Sequence, residues 1–438
     1  MKAGPVRFGP GKGTVVGEVV GGFGGYATRR KQEGVFQYTM VADGSQGVSF
    51  DPEKLAQIPE KDRRWAWVEV DLNAIRHNIA QVRSRVGQSR RLLAVVKADA
   101  YGHGAVRVAK TALNSGADYL AVATVDEGIE LREALINAPI MILAEPPASS
   151  IPLLLAYKIM PSIYTAEFAI QYAEAADSCG LKAPYHLAVN TGMNRIGVHH
   201  SEVVSFLKQV DFHRALDLKG VFTHFATADS SDDLDFRLQL NRFKEAVAAM
   251  RAAGFDPGLV HCANSAASIR YPEALFDMVR MGIVMYGYHP CPETMALVDL
   301  RPAMSVHARI TDVRMLRMSE GVGYGLHYRS RGSVKTCTIP VGYADGYMRC
   351  LSGKVDVICK GQLLHQVGNI CMDQAMFEVD LRTSATRERI DPQIGDEVIV
   401  MGRQGNAEIT ATELARIADT IEYEVCIGFS HRMPRYYV

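Results

Sequence analysis

Short apolar runs without polar alternation recur through the middle of the chain, and segments with helical spacing separate them. Such runs are typical of parallel strands whose two faces are covered by helices. Eight β–α units within roughly 200 residues are what a closed (β/α)8 barrel requires, and the count disfavours an open, doubly wound sheet. The predicted strands are 92–97, 119–124, 140–145, 160–165, 185–190, 219–224, 258–263 and 278–283. We therefore predict an α/β fold built on a TIM-like barrel.

The pattern changes on both sides of this barrel. Residues 301–438 carry alternating or β-branched runs with glycine turns between them, which predicts a mostly β C-terminal domain after a barrel at 65–300. The strand predicted at 65–70 belongs either to the barrel or to this β domain. Residues 1–64 are glycine-rich and then polar, and we expect a flexible or weakly structured extension. Its "GPGKGT" lacks the spacing of a phosphate loop, so no nucleotide site is predicted there.

Charge and cysteine content exclude several classes of partner. The chain of 438 residues has 48 basic and 48 acidic side chains, which gives no electrostatic case for binding nucleic acid or a membrane surface. Its eight cysteines include no CxxC pair, and no secretion signal precedes them. We read them as reduced thiols and expect a cytoplasmic protein. The longest apolar runs fall short of a membrane span.

An ionisable amine, that of Lys97, lies where the first barrel strand ends. Active sites of this fold lie at the C-terminal ends of the strands. A partly desolvated lysine there loses its proton more easily and is suited to form a Schiff base. The alternative is a structural lysine whose head group reaches solvent from a strand end. The segment "VVKADAYGHG" alone leaves these two interpretations about equal.

Other predicted strand ends carry polar residues as well. Each has a structural explanation by itself: a paired core histidine, a helix-capping serine, a barrel arginine with a carboxylate partner. Together they form a set at one end of one barrel, namely Arg195, His224, His261, Asn264, Ser265, Arg280 and Gly282. Serine and glycine at the last two loops suit a phosphate group. A Schiff-base lysine next to a phosphate site indicates pyridoxal 5'-phosphate (PLP) as the cofactor.

The motifs of residues 65–438, taken in order, resemble those of the alanine racemase family. The matching segments are "AVVKADAYGHG", "NTGMNRIG", "THFATAD", "HCANSAA", "RMGIVMYG", "GVGYGLHY", "VGYADGY" and "GNICMDQ". The resemblance implies an N-terminal PLP-binding barrel and a C-terminal β domain. It also implies a homodimer with shared active sites that interconverts L- and D-alanine, supplying D-alanine for cell-wall peptidoglycan.

The resemblance further assigns roles to individual residues. Lys97 would carry PLP and serve as one of two acid–base residues. Tyr324, donated by the partner subunit, would be the other. Substrate contacts would come from Arg195, Met372, Asp373 and Tyr343, and no metal is implied. The cofactor would be bound by Lys97, Tyr101, Arg195, His224, Asn264, Ser265, Arg280, Gly282, Ile283 and Tyr423. An arginine such as Arg280 at the pyridine nitrogen keeps its own proton, which disfavours transamination and favours racemisation.

Three positions depart from the family pattern, one of them Asn369 in "GNICMDQ", where arginine is frequent. Many members carry a carbamylated lysine seven residues before the arginine of "TGM.R", and here that residue is Ala188. The common aspartate before "TGM" is Asn190. Without the modified lysine Arg195 needs another partner, and we expect an anion from solvent, most simply chloride, between Arg195 and Asn190. Small residues in this loop keep a serine/alanine or broad-specificity racemase as the alternative.

Three other functions compete with racemisation. A PLP-dependent decarboxylase of basic amino acids would place a carboxylate, not Arg280, at the pyridine nitrogen. A non-enzymatic PLP carrier of the single-barrel type would lack the β domain. A barrel that binds no cofactor would show no PLP absorbance once purified.

Overall fold

The computed structural model describes residues 63–379 and 390–438 and, nearer the N-terminus, the strands Thr14–Gly17, Tyr26–Gln32, Val35–Ala42 and Gln46–Ser49. The chain divides into two compact units, Met1–Trp65 and Ala66–Val438. In the first unit the four strands pair with their sequence neighbours as an antiparallel sheet. Of the extension predicted over residues 1–64, the remaining residues up to 62, including the segment 9–13, lie outside the described residues. The domain boundary near residue 300 stays a prediction.

Most of the first half of the second unit forms a parallel barrel, as the apolar runs predict. The first barrel strand, Arg91–Val95, pairs in parallel with Tyr119–Val122 on one side and with the last strand, Met278–Met281, on the other, so the first and last strands are neighbours. Pro161, which has no amide hydrogen, interrupts the fourth strand. The remaining barrel strands are Ile140–Ile142, Ile159–Met160 with Ser162–Ile163, Ala183–Asn190, Leu216–Phe222 and Leu259–His261. This confirms the predicted fold class.

Helices cover the outside of the barrel, and capping residues explain where they begin. The first helix, Leu72–Val86, starts where the Asp71 carboxylate accepts hydrogen bonds from the next backbone amides. It ends at Gly87, whose φ of 85° suits glycine. The other helices of this region are Ala105–Asn114, Val125–Glu133, Ile151–Tyr157, Ala166–Ser178, Val203–Val210, Leu234–Ala252 and Ser265–Arg270. The segment Lys97–Gly102 at the strand ends is a short helical turn whose inner residues have positive φ. A short strand, Val198–His199, pairs with the fifth barrel strand.

The C-terminal part forms a largely antiparallel sheet that includes a strand from before the barrel. Ala66–Val70 pairs antiparallel with Met304–Arg309 and parallel with the last strand, Arg435–Tyr437. The sheet also contains Asp312–Leu316, Val334–Ile339, Asp356–Cys359, Gln362–Gln366, Ala375–Val379, Glu397–Gln404 and Ala407–Ile409.

Two further features complete this region. The strands Gly321–Val322 and Tyr328–Arg329 form a separate hairpin, and Ala411–Ala418 and Glu422–Gly428 are helices. The pairing of Arg435–Tyr437 with Ala66–Val70 brings the chain end back to the barrel, where Arg435 Nε donates to the carbonyl of Gly102 at 3.1 Å. The C-terminal segment therefore packs against the loop that follows Lys97.

Candidate active site

A cavity of about 510 Å³ lies at the C-terminal ends of the barrel strands. Ten of the predicted site residues line it, each from a different position along the barrel or the C-terminal helices. They are Lys97, Tyr101, Arg195, His224, Asn264, Ser265, Arg280, Gly282, Ile283 and Tyr423. The other four, Tyr324, Tyr343, Met372 and Asp373, do not line this cavity. The barrel thus brings together the residues predicted to bind the cofactor.

The turn that follows Lys97 is left-handed. Residues from Ala98 to Tyr101 all have φ between 51° and 54°, a conformation that costs an L-residue roughly 1–2 kcal/mol. Two carboxylates hold the turn at its ends. Glu127 accepts from the amide of Ala98 at 2.7 Å, and Asp99 accepts from the amide of Ala105 at 2.7 Å. Strain of this kind persists only where surrounding contacts impose it, and such sites are often functional.

Gly102 is required by the packing around this turn. Its φ is +79°, and an added Cβ would lie 2.6 Å from the carbonyl oxygen of Cys426. A side chain there would therefore face both backbone strain and a collision with the C-terminal helix. The glycine of "AYGHG" lets that helix approach the Lys97 loop.

The amine of Lys97 has no hydrogen bond or ion pair with a described residue. Burial lowers its pKa, the nearby Arg195 guanidinium lowers the pKa further, and the Glu127 carboxylate acts in the opposite direction. The neutral amine, which is the nucleophilic form, is therefore more accessible at neutral pH than in an exposed lysine.

Arg280 is buried in the last barrel strand and is held by several acceptors. Its Nη2 donates to the carbonyl of Thr223 at 2.8 Å and to Nδ1 of His224 at 3.1 Å. Its Nη1 contacts Nδ1 of His261 at 3.2 Å. Burial lowers the pKa of Arg280 to about 10, which still leaves the guanidinium charged at neutral pH.

The proton on His224 can be located from these contacts. An arginine has only donors, so Nδ1 of His224 must accept. Burial, followed by the charge of Arg280, lowers the pKa of His224 to about 3. The ring is therefore neutral and carries its proton on Nε2.

The last two barrel loops contain a cradle of polar groups next to Gly282. The Gly282 amide donates to Oγ of Ser265 at 3.0 Å. A Cβ added at Gly282 would lie 3.1 Å from Oη of Tyr101 and 3.3 Å from Oγ of Ser265. Tyr101 is stacked on Tyr286 at 4.8 Å, and burial raises its pKa to about 12, so its hydroxyl remains a donor. Donors around a space kept open by glycine fit a phosphate group.

Arg195 has no carboxylate partner among the described residues. The Asn190 side chain does not supply one. Its Oδ1 accepts from the amides of Gly192 and Asn194 at 3.0 and 3.1 Å, and its Nδ2 donates to Oδ1 of Asn194 at 3.0 Å. Asn190 thus shapes the loop that presents Arg195, and Ala188 lines the cavity nearby. The guanidinium is left available for an anion.

The residues assigned to substrate and to the second base lie on exposed loops of the C-terminal part. The side chains of Tyr324, Tyr343 and Met372 are 76%, 41% and 53% exposed. Hydrogen bonds connect their loops: the amide of Tyr343 donates to the carbonyl of Cys371 at 3.0 Å, and Asn369 Nδ2 donates to the carbonyl of Tyr324 at 2.8 Å. We call these three side chains the aromatic loop face.

Asp373 is placed differently from a free substrate ligand. Its carboxylate accepts from Nη2 of Arg432 at 2.6 Å, and Nε of Arg432 lies 3.5 Å from the buried carboxylate of Asp345. Arg432 thus bridges the loops on either side of the aromatic loop face. Neither Arg432 nor Glu127 is among the site residues predicted from the sequence. The sequence did contain a pattern that marks Glu127, because Thr124 and Glu127 have the spacing of a helix capping box.

Within residues 63–379 and 390–438, no helix is long and apolar enough to cross a membrane. The same residues contain no group of three or more His, Cys, Asp or Glu side chains that could hold a metal ion.

The fold and the site define a class of protein. It is a barrel enzyme joined to a β domain, and the ends of its barrel strands carry a lysine amine of lowered pKa and a group of polar side chains suited to an anion. The models of the alanine racemase N-terminal and C-terminal domains match residues 70–290 and 303–437. The chain belongs to the alanine racemase family, as its motifs predict.

Individual known proteins are similar to this chain over most of its length. An alanine racemase of Symbiobacterium thermophilum is 41% identical over 374 residues, covering 85% of this chain and 97% of the relative. A solved alanine racemase of Clostridium difficile 630 superposes with a TM-score of 0.80 at 37% identity, covering 85% of this chain and 96% of that one. A histidine racemase of Leuconostoc mesenteroides has a TM-score of 0.78 at 28% identity, covering 86% and 98%.

Proposed function

We propose that this chain interconverts L- and D-alanine with PLP bound in the barrel cavity, and so supplies D-alanine for cell-wall peptidoglycan. The observation that carries the proposal is one cavity lined by an unpaired Lys97 amine with a lowered pKa, a charged and buried Arg280, and the polar cradle at Gly282. Lys97, Arg280 and the polar cradle are suited to bind, respectively, the aldehyde, the pyridine nitrogen and the phosphate of PLP.

Each residue then has a physical task. Tyr101, Ser265, Tyr423 and the backbone at Gly282 and Ile283 would hold the phosphate, next to the capping residue Asn264. When bound, PLP delocalises the charge left at Cα after a proton is removed. Lys97 would hold the aldehyde carbon and move a proton on one face of the substrate.

Arg280 and His224 would act without losing protons. Arg280 stays charged and would present a donor to the pyridine nitrogen of bound PLP, which would discourage protonation of that nitrogen. His224, neutral and protonated on Nε2, would orient the Arg280 guanidinium through its Nδ1. Substrate binding would come from Arg195.

A second base is needed on the opposite face, and this chain's own cavity does not contain Tyr324. We infer a homodimer in which the aromatic loop face of one subunit covers the cavity of the other. The exposure of Tyr324, Tyr343 and Met372 supports this arrangement, because contiguous exposed apolar groups are typical of interaction sites. Tyr324 would then protonate and deprotonate Cα from the far side, and Asp373 would support the face through Arg432.

Chloride or another small anion beside Arg195 belongs to this proposal. Arg195 is exposed and has no carboxylate partner among the described residues, so its guanidinium is open to an anion from solvent. Because the Asn190 amide is engaged within its own loop, the anion would be bound by Arg195 itself and would fill part of the space left by Ala188.

A second candidate is a racemase of broader specificity. The small side chain of Ala188 lines the cavity, and a structural relative is named a histidine racemase. Tyr343, Met372 and Tyr423 instead indicate a narrow site, where each added methylene costs roughly 1–3 kcal/mol. We therefore expect alanine first, serine next, and lysine and histidine poorly.

The test is a racemisation assay followed by circular dichroism over a panel of L-alanine, L-serine, L-histidine and L-lysine. Lys97→Ala should abolish activity, and borohydride reduction followed by peptide mapping should label Lys97. Comparable kcat/KM for alanine and lysine would favour the broad-specificity enzyme. Labelling of a different lysine would refute the role of Lys97.

A further inference from the structure

Two buried histidines extend inward from Arg280, away from the cavity. Nη1 of Arg280 lies 3.2 Å from Nδ1 of His261, and Nε2 of His261 lies 3.0 Å from Nδ1 of His186. Both histidines are fully buried. Neither lines the cavity, so neither can touch a ligand there. The line Arg280–His261–His186 therefore acts on the cavity only through Arg280.

The hydrogen-bonding capacity of these groups determines where each proton lies. Arg280 only donates, so Nδ1 of His261 accepts from it. Burial holds the pKa of His261 well below its ordinary value, so this ring is neutral and its proton is on Nε2. That proton is donated to Nδ1 of His186, which leaves the proton of His186 on its own Nε2.

The far end of this line is energetically unfavourable by itself. Nε2 of His186 is buried and has no hydrogen-bond partner among the described atoms. An unsatisfied buried donor costs roughly 1–3 kcal/mol. The fold also leaves room for this ring, because an added Cβ at Gly220 would lie 2.5 Å from Nδ1 of His186. A leucine would fill such a core position without the unpaired group.

We propose that His186 is a positioning residue for the racemase. By accepting at Nδ1, it keeps the proton of His261 on Nε2 and so leaves Nδ1 of His261 as an acceptor for Arg280. Without His186, the Nε2 proton of His261 would be buried without an acceptor, and the ring could reach another acceptor only by turning away from its contact with Arg280. The guanidinium would then shift relative to the cavity. This inference rests on the proposed function, in which Arg280 faces the cofactor.

A matched pair of substitutions separates this role from packing. His186→Asn keeps an acceptor near the position of Nδ1, whereas His186→Leu removes it. A lost hydrogen bond to a charged group corresponds to a factor of about ten to a hundred in an equilibrium. We therefore expect the kcat of the holoenzyme to fall about tenfold or more in His186→Leu, with little change in KM, and to remain within about threefold of wild type in His186→Asn.

A double-mutant comparison tests whether the effect travels through His261. In His261→Asn the amide oxygen can accept from Arg280 whatever residue occupies position 186. His186→Leu should therefore cost less than about threefold in kcat when added to His261→Asn, and an additive loss would overturn the proposal.

Nuclear magnetic resonance of holoenzyme labelled with ¹⁵N in the histidine rings provides a readout other than activity. We expect one buried ring, identified by its loss in His261→Asn, to have a protonated Nε2 and an unprotonated Nδ1, and its Nε2 proton to exchange slowly. This measurement needs no folded His186→Leu protein. A protonated Nδ1 on His261 would refute the proposal.

The outcomes distinguish the inference from the function it rests on. If the wild-type holoenzyme does not racemise any amino acid, the proposed function fails, and the tautomer of His261 still tests the hydrogen-bond line. If wild type racemises alanine but His186→Leu and His186→Asn lose kcat equally, His186 has only a packing role.

Discussion

Glu127 is expected to hold the strained turn that follows Lys97, and Glu127→Gln tests this. One carboxylate oxygen accepts from the amide of Ala98 at 2.7 Å. The other accepts from the amides of Ala123 and Thr124 at 2.7 and 3.2 Å. A glutamine side chain has only one acceptor oxygen, and its amide nitrogen cannot accept from a backbone amide. The substitution therefore removes one side of the bridge whichever way the amide is oriented.

The magnitude follows from these bonds. A hydrogen bond to a charged group contributes roughly 1.5–3 kcal/mol, so Glu127→Gln should lower the free energy of unfolding by about that amount. The four left-handed residues together cost about 4–8 kcal/mol, which makes the turn sensitive to losing one of its restraints. Because the Glu127 carboxylate raises the pKa of Lys97, its neutralisation should also lower that pKa further.

Two measurements report these effects. Urea unfolding gives the loss of stability. The rate at which PLP binds covalently to the cofactor-free protein, followed by absorbance, depends on the unprotonated Lys97 amine. A lower pKa leaves more of that amine unprotonated, so the pH profile of this rate should move to lower pH in Glu127→Gln.

Glu130→Gln is the matched control. Glu130 lies on the same helix, Val125–Glu133, is exposed, and its side chain makes no described hydrogen bond. We expect the free energy of unfolding of Glu130→Gln to stay within about 0.5 kcal/mol of wild type. The reasoning is refuted if the two variants lose equal stability and neither moves the pH profile of PLP binding.

Three further predictions follow from the site and its surroundings. Mixing inactive Lys97→Ala with inactive Tyr324→Phe subunits should restore part of the activity, because one hybrid site regains both bases; no recovery after verified subunit exchange would place both on one chain. Removing chloride should lower kcat and adding it back should restore kcat with saturation, and a carbamylated Ala188→Lys should abolish this dependence; activity indifferent to chloride would contradict an anion at Arg195. Burial lowers the pKa of His103 to about 4, so between about pH 6.5 and pH 4 the unfolded state binds a proton that the folded state does not. The free energy of unfolding should therefore decrease as the pH is lowered through this range, by up to about 1.4 kcal/mol per pH unit. In His103→Asn the free energy of unfolding, measured with urea, should depend less steeply on pH, and an unchanged dependence would show that His103 does not contribute.

The barrel and most of the cavity were predictable from the sequence because the signals are local. Buried parallel strands are largely apolar on both faces, so most barrel strands left a recognisable apolar run in the sequence. The strand ends of a closed barrel converge, so residues as far apart as Lys97 and Arg280 could be assigned to one cavity before any contact was known. The fold class and the family followed from these patterns and motifs.

Features that depend on partners distant in the chain were not predictable. In "KADAYG" only Asp99 tolerates the left-handed region better than most residues, and the alanines and Tyr101 do not favour it. Glu127 and the docked C-terminal segment hold the turn in this conformation. His186 and His261 are separated by 75 residues, and only the curvature of the barrel brings their rings together.

The sequence by itself determined which residue types occupy the barrel, its strand ends and the exposed loops, because burial and backbone preference act residue by residue. The tertiary structure alone decided the proton positions along Arg280, His261 and His186, and the partner of Asp373. Those depend on distances of about 3 Å between groups from different strands and loops, and no local pattern carries such distances.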